Sequence, residues 1–308
     1  MRRSTRIRKR STRLTYDTLG GRDNNAQKEI VYTNSYQENE SNNAENVVED
    51  VFLWRVVKGW ACCLVVIALA AELTQPTAYG RFGVETSEIT LDPRLGWWLM
   101  ELPCSSVFII TFFFVGGPQS RKPVPRLFAS VYLMHYLYRG WLFPAFINRH
   151  GSAGTNFSIV PAVGSWIVTI THAYLNAKWF STFGKKLNWE WIKSKWFFIA
   201  AATYYCGLGL TIWHDHILRN LRPCPSGQRY CVPHGALFEW ITSAQYFSEL
   251  VAWLGFWMMS CGPNGAFIFF VSLANLIPRS HSTHDWYLER FGDEYEDLGR
   301  YRLVPFLW

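Results

Sequence analysis

Several signatures of soluble nucleotide-binding, metal-binding and secreted proteins are missing from this sequence. Gly207 and Gly209 stand in an apolar segment with no third glycine and no strand–turn–helix setting, so a glycine-rich nucleotide fingerprint is absent. Small residues in such a segment suit close helix packing instead. Histidine is sparse: His214 and His216 form one pair, and His281 and His284 lie three apart. Without further His-rich boxes or regularly spaced carboxylates beside them, a di-iron centre is not expected, and no metal site is assigned. Cys224 and Cys231 flank a Pro-Ser-Gly turn, a spacing open to a disulfide or half a metal site, but no second cysteine pair accompanies them and free thiols are expected over either. Cys62, Cys63, Cys104, Cys206 and Cys261 read as small core residues in or beside apolar helices. The basic start MRRSTRIRKRSTR is not followed by the apolar run of a secretory signal peptide. There is no internal repeat, and no basic, aromatic-interleaved module that would make nucleic acid a partner.

What is present points to a bilayer. Of 308 residues, 49% are hydrophobic and 17% aromatic, and the 16 Trp and 15 Tyr suit belts at the two membrane faces. The mean hydropathy of −0.01 averages a polar tail with very apolar segments. Much of the formal net charge of +7 falls in the first thirteen residues, so it says little about the rest. Residues 1–50, rich in Asn, Glu, Gln and Ser, read as a disordered polar tail. Residues 51–308 read as one all-α, polytopic membrane domain of about seven transmembrane helices around a substrate and cofactor cavity. The apolar segments fall at 51–73, 95–115, 127–147, 157–175, 196–213, 238–259 and 266–277, and a polar C-terminal segment follows.

The segment 95–115, LGWWLMELPCSSVFIITFFFV, carries one ionisable side chain, Glu101. A carboxylate near the middle of a spanning helix costs about 2.5–3.5 kcal/mol on insertion scales, so such a group normally faces a wet cavity or a partner. Trp97 and Trp98 already take the interfacial position, and Pro103 can open the backbone around the carboxylate. Glu101 is therefore the candidate chemical centre. Glu249 is a second intramembrane carboxylate, and Tyr136 and Arg139 stand together on the third segment. Beyond the fifth and seventh segments lie HDHILRNLR and PRSHSTHDWYLERF. These place Arg219, Arg222, Arg279 and Arg300 on one face, where guanidinium groups suit a phosphorylated ligand.

At this point the residues carry a resemblance. The C-terminal ANLIPRSHSTHDWYLERFGDEYEDLGRYRLVPFLW resembles the closing signature of the steroid 5-alpha-reductase family. Other matches follow in the same order: Pro-x-x-Tyr-Gly at Pro76, Glu-Leu-Pro at Glu101, His-Tyr-x-x-Arg at His135, and Asp-x-x-Leu-Arg-x-Leu-Arg at Asp215. Tyr-x-x-Pro-x-Gly at Tyr230 and Glu-x-x-x-Trp at Glu249 complete the set. The resemblance implies a multi-pass enzyme of the endoplasmic reticulum membrane that uses NADPH to reduce the 4,5 double bond of a 3-oxo-4-ene steroid or similar enone lipid. It also implies a C-terminus facing the cytosol. By position, Glu101 and Tyr136 would be the catalytic pair on the 3-oxo oxygen, and Trp97 would border the substrate. Arg139, Asp215, Arg222, Gln245, Glu249, Arg279, His284, Tyr287 and Arg300 would line the cofactor.

Five positions depart from the family pattern. Gln245 and Thr211 each stand where Asn is expected, Ala252 where Glu is, Thr283 where His is, and Cys231 where Arg is. They bear on cofactor affinity and the choice of steroid more than on reaction type. An enoyl-CoA or polyprenol reductase would share the C-terminal signature, and a non-catalytic sterol- or lipid-binding relative is the reading from another class. The Glu-Leu-Pro and His-Tyr-x-x-Arg motifs favour the steroid reading over the first, and NADPH retention separates it from the second.

Overall fold

The computed structural model describes residues 51–74, 89–147, 157–221, 224 and 230–308. The tail 1–50, the motif at Pro76 and the expected cofactor residue Arg222 lie outside the described residues. The chain divides into two units, Met1–Arg55 and Val56–Trp308.

The described residues are almost wholly helical. Helix α1 spans Val51–Thr74. Strand β1 (Thr90–Leu91) pairs antiparallel with β2 (Phe157–Ser158), Thr90 facing Ser158. That two-residue pairing ties the start of α2 (Pro93–Ile109) to the start of α4 (Ile159–Gly164). Each helix opens on its own cap. The Asp92 carboxylate accepts from the Arg94 N–H at 2.9 Å, and the Ser158 hydroxyl accepts from the Val160 N–H at 3.3 Å. Pro93 and Pro123 take first-turn positions, where their missing N–H costs nothing.

Helix α3 is Pro123–Tyr136, α5 is Trp166–Lys178 and α6 is Trp189–Ile192. Lys195–Asn220 is α7, Ala244–Ser260 is α8, Pro263–Phe291 is α9, and Asp293–Glu296 is α10. Three helices run on into wider π turns: α2 through Ile110–Val115, α3 through Leu137–Leu142, and α5 through Trp179–Phe183. Such turns recur at functional sites because they shift the facing of every later side chain. The one after α3 carries Arg139.

Helices α7 and α8 lie backbone to backbone. A Cβ at Gly207 would strike the Ala252 and Ser248 backbone, and one at Gly255 would strike that of Tyr204. Gly207 is thus a packing glycine, as expected, whereas a Cβ at Gly209 would meet open space and Gly209 serves no such contact.

Among the described residues, three helices are long and apolar enough to cross a membrane: Val51–Thr74, Pro93–Val115 and Lys195–Asn220. The structure therefore does not establish seven spans. The expected fourth segment is split at Ser165, and α8 has only 17 residues. Large apolar side chains such as Val66, Phe114 and Phe198 are exposed along the three spans, as lipid contact requires.

Three boundaries differ from the sequence reading. The fifth helix continues to Asn220, so Asp215 sits on it rather than beyond it. The sixth begins at Ala244, not near 238, because Ile241 forms a parallel bridge with Tyr301 and the Thr242 N–H donates to the Tyr301 carbonyl. Glu239 accordingly lies in a 3-10 turn, Ala236–Glu239. The seventh runs through Pro278 to Phe291, where a polar segment was expected. Its buried residues Arg279, Thr283 and Tyr287 recur every four positions, and that packed face carries the helix past its polar composition. Cys224 and Cys231 also correct the expectation of free thiols, since they form a disulfide. A local bridge closing so short a loop needs no second pair.

Candidate functional site

A cavity of about 640 Å³ opens among α1, α2, α3, α4, α5, α7, α8 and α9. Glu101 and Cys104 come from α2, one turn apart on the same face. Pro103, inside that helix, lies buried between them in sequence. Tyr136 ends α3, and the π turn that follows brings Arg139 to the same cavity.

Cys104 links the two principal groups. Its Sγ lies 3.6 Å from Glu101 Oε2, and its thiol also shares a hydrogen bond with Tyr136. The Tyr132 hydroxyl donates to the Cys104 carbonyl at 3.1 Å and fixes this turn of α2 against α3. The Tyr136 ring packs on Tyr132, His135 and His172 with centroids 4.8, 5.2 and 5.8 Å away. A carboxyl, a thiol and a phenol so held can donate and exchange hydrogen bonds with a polar ligand atom that enters the cavity.

The neighbouring part of the lining is ionic. Arg139 reaches Asp215 at 3.5 Å and Glu249 at 3.4 Å, and its guanidinium lies over the Trp97 ring at 5.0 Å and over Phe143 at 4.9 Å. Trp97 thereby borders both the charged and the apolar part of the lining. Arg279, on α9, is buried; its Nε donates to the Tyr246 hydroxyl at 3.2 Å, and its Nη1 stands 3.8 Å from Glu72 Oε1.

Of the residues singled out from sequence, Trp97, Glu101, Tyr136, Arg139, Asp215, Gln245, Glu249 and Arg279 all line this one cavity. His284, Tyr287 and Arg300 do not. They gather round Tyr295, which stacks on Tyr287 at 5.0 Å and lies under the Arg300 guanidinium at 5.9 Å. His284 Nδ1 lies 2.6 Å from the Thr242 hydroxyl, itself 2.6 Å from the Tyr295 hydroxyl. Burial and the Arg302 charge lower the His284 pKa. Arg300 donates to the Pro233 carbonyl at 2.8 Å, and burial lowers its pKa despite the nearby Tyr295 and Glu239.

Three residues escaped the sequence reading: Cys104, read there as a small core residue, and Glu72 and His172. Glu72, at the end of α1, had no local signal. His172 had one, because Asn176 follows at i+4 and its amide donates to His172 Nδ1 at 3.1 Å. The Asn176 amide is oriented by Asn264, whose Nδ2 donates to Asn176 Oδ1 at 2.8 Å. Nδ1 of His172 is therefore the acceptor and Nε2 carries the proton.

The lining suits a polar cofactor as well as a lipid. Gln245 Oε1, Trp253 Nε1 and His172 Nε2 are buried with no hydrogen-bond partner among the described residues, and all three residues face the cavity. Orphaned buried donors and acceptors of this kind call for a ligand that satisfies them. The unpartnered Gln245 carbonyl beside the Arg139 and Arg279 guanidinium groups fits an amide- and phosphate-bearing molecule.

Known proteins match this chain over most of its length. The family profile for 3-oxo-5-alpha-steroid 4-dehydrogenase matches residues 155–308. The steroid 5-alpha-reductase DET2 of Solanum lycopersicum is 33% identical over 224 residues, covering 72% of this chain and 84% of that protein. The 3-oxo-5-alpha-steroid 4-dehydrogenase 1 of Mus musculus is 32% identical over 233 residues, covering 75% and 88%. The Homo sapiens protein of the same name is 29% identical over 247 residues, covering 80% and 92%.

Proposed function

Since the chain belongs to the 3-oxo-5-alpha-steroid 4-dehydrogenase family, we propose that it reduces the 4,5 double bond of 3-oxo-4-ene steroids with NADPH, in the endoplasmic reticulum membrane. The observation that carries this reading is the convergence of Glu101 and Tyr136, joined through the Cys104 thiol, on a cavity between apolar helices. When bound, a nicotinamide dinucleotide supplies the hydride that arrives at carbon 5.

The chain's own residues do the rest. Tyr136 donates to the 3-oxo oxygen, and Glu101 holds the same oxygen from α2. As negative charge builds on that oxygen, fixed donors in a dry site stabilise it more than water could. Polarising the carbonyl draws electron density from carbon 5, where hydride adds, and a proton completes the reduction at carbon 4. The ring of Trp97, held against Phe143 at 5.2 Å, borders the reacting face. Arg139, Asp215, Gln245, Glu249 and Arg279 hold the cofactor. Arg222, His284, Tyr287 and Arg300 would complete its binding, the last three from the cluster round Tyr295.

The test is turnover by membranes containing the protein, given NADPH and a panel of 3-oxo-4-ene steroids, enoyl-CoA esters and polyprenols. Saturation of a steroid 4,5 double bond is expected. Turnover confined to another substrate class, or none in protein that retains NADPH, would overturn the assignment.

A further inference from the structure

His172 is a buried polar residue of the cavity to which the reaction so far gives no part. It is 1% exposed, and its Nε2 has no hydrogen-bond partner among the described residues. Two asparagines fix what that nitrogen carries. Asn176 Nδ2 lies 2.9 Å from the His172 carbonyl oxygen, so that atom must be the amide donor. Asn264 Nδ2 then donates to Asn176 Oδ1 at 2.8 Å, and the Asn176 amide also donates to His172 Nδ1 at 3.1 Å. An Nδ1 that accepts holds no proton, so the ring is neutral and Nε2 is a donor. A buried donor left unmet costs about as much as a lost hydrogen bond, which calls for a ligand atom to meet it.

That donor stands at one end of the cavity. Cys104, His172 and Trp253 are the last residues of α2, α5 and α8 to line it, and His135 and Ile268 are the first of α3 and α9. Beyond them Asn176 and Asn264 are fully buried, so the cavity closes here. Contacts bring these residues together. The Tyr132 ring lies 5.4 Å from that of His172 while its hydroxyl donates to the Cys104 carbonyl. Trp253 lies 5.8 Å from His172 and 4.4 Å from His135. Arg139, Glu249 and Arg279 stand further along their helices, so a phosphate-bearing ligand is held away from this end. The Trp253 Nε1 is a second unmet donor here, and the Tyr136 ring is 5.8 Å from that of His172. Neutral donors so gathered suit an uncharged acceptor oxygen. A rigid steroid skeleton brings only one of its ends into so confined a place, so the donors meet on a single oxygen.

We propose that His172 Nε2–H is a further donor to the 3-oxo oxygen, holding it from α5 as Tyr136 and Glu101 hold it from α3 and α2. This rests on the reading of Glu101 and Tyr136 as the pair on that oxygen. A neutral imidazole suits the role, since it polarises a carbonyl without a charge of its own to be compensated. As hydride adds at carbon 5, charge gathers on the oxygen and the contact strengthens. Asn176 and Asn264 are then positioning residues that keep the imidazole proton on the cavity side.

The experiment is titration of the purified full chain, held with NADP+ so that no hydride is available, with progesterone and with its 3-deoxy analogue. The unmodified chain is expected to prefer progesterone. His172→Phe keeps a ring among the aromatic neighbours but removes the donor. It should shrink that preference roughly 3- to 10-fold and leave the affinity for the 3-deoxy analogue unchanged. Turnover of progesterone at saturating NADPH should fall on the order of 100-fold. His172→Met, whose flexible chain can refill the space, serves if the Phe variant folds poorly. A folded variant that keeps the preference, weakens both steroids alike, or turns over progesterone as fast as the unmodified chain overturns the proposal and leaves the Glu101 and Tyr136 reading intact. Failure of the unmodified chain to prefer progesterone overturns both.

Discussion

Arg139 joins Glu249 across the cavity wall, with Nη2 at 3.4 Å from Oε2. The same guanidinium holds Asp215 of α7 at 3.5 Å, so one side chain at the π turn after α3 neutralises carboxylates on two other helices. This shared counter-ion is what allows two acidic groups to line one cavity together.

Removing that charge should therefore cost stability as well as cofactor affinity. Arg139→Gln leaves two partly buried carboxylates uncompensated, a loss on the order of 3 kcal/mol. Thermal unfolding in detergent should show a clear drop in midpoint. Adding Asp215→Asn and Glu249→Gln should restore much of it, since all three charges then disappear together. A midpoint unmoved by Arg139→Gln would mean that the triad is decorative.

Glu101 and Tyr136 are proposed to act on one oxygen, and their side chains already meet through Cys104. Effects of groups that work as a unit do not add. Tyr136→Phe should thus resemble Glu101→Gln in turnover, and the double variant should be little worse than the worse single one. Losses that multiply fully would show two independent roles.

Part of this site could be read in the chain and part could not. Glu101 was legible because it is the lone ionisable group in a long apolar run, and burial there demands a reason. Glu72 was not, because a carboxylate two residues from the end of α1 looks like one in headgroup water until Arg279 of α9 is seen opposite it. The course of α9 was hidden by Pro278 and a polar composition, although the four-residue spacing of Arg279, Thr283 and Tyr287 carried the helical period. The late start of α8 could not be foreseen, since the bridge from Ile241 to Tyr301 depends on how the C-terminus returns.

The C-terminal cluster should register acid. His284 has a lowered pKa in the folded chain, so the unfolded chain binds more protons at mildly acidic pH. Its contribution is fully present above the unfolded pKa of about 6.5 and is lost as pH falls towards the folded value. The unfolding midpoint should drop between about pH 7 and pH 5, and His284→Gln should flatten that slope. An unchanged slope would mean that other groups carry the acid sensitivity.

The most direct measurement is the turnover of Glu101→Gln at saturating 3-oxo-4-ene steroid, taken alongside its NADPH affinity. The account predicts NADPH binding close to that of the unmodified chain and turnover lower on the order of 100- to 1000-fold, the usual loss when one contact to a developing oxyanion is removed. Turnover equal to that of the unmodified chain would contradict it, and Glu101 would then be a buried carboxylate without a part in the reaction.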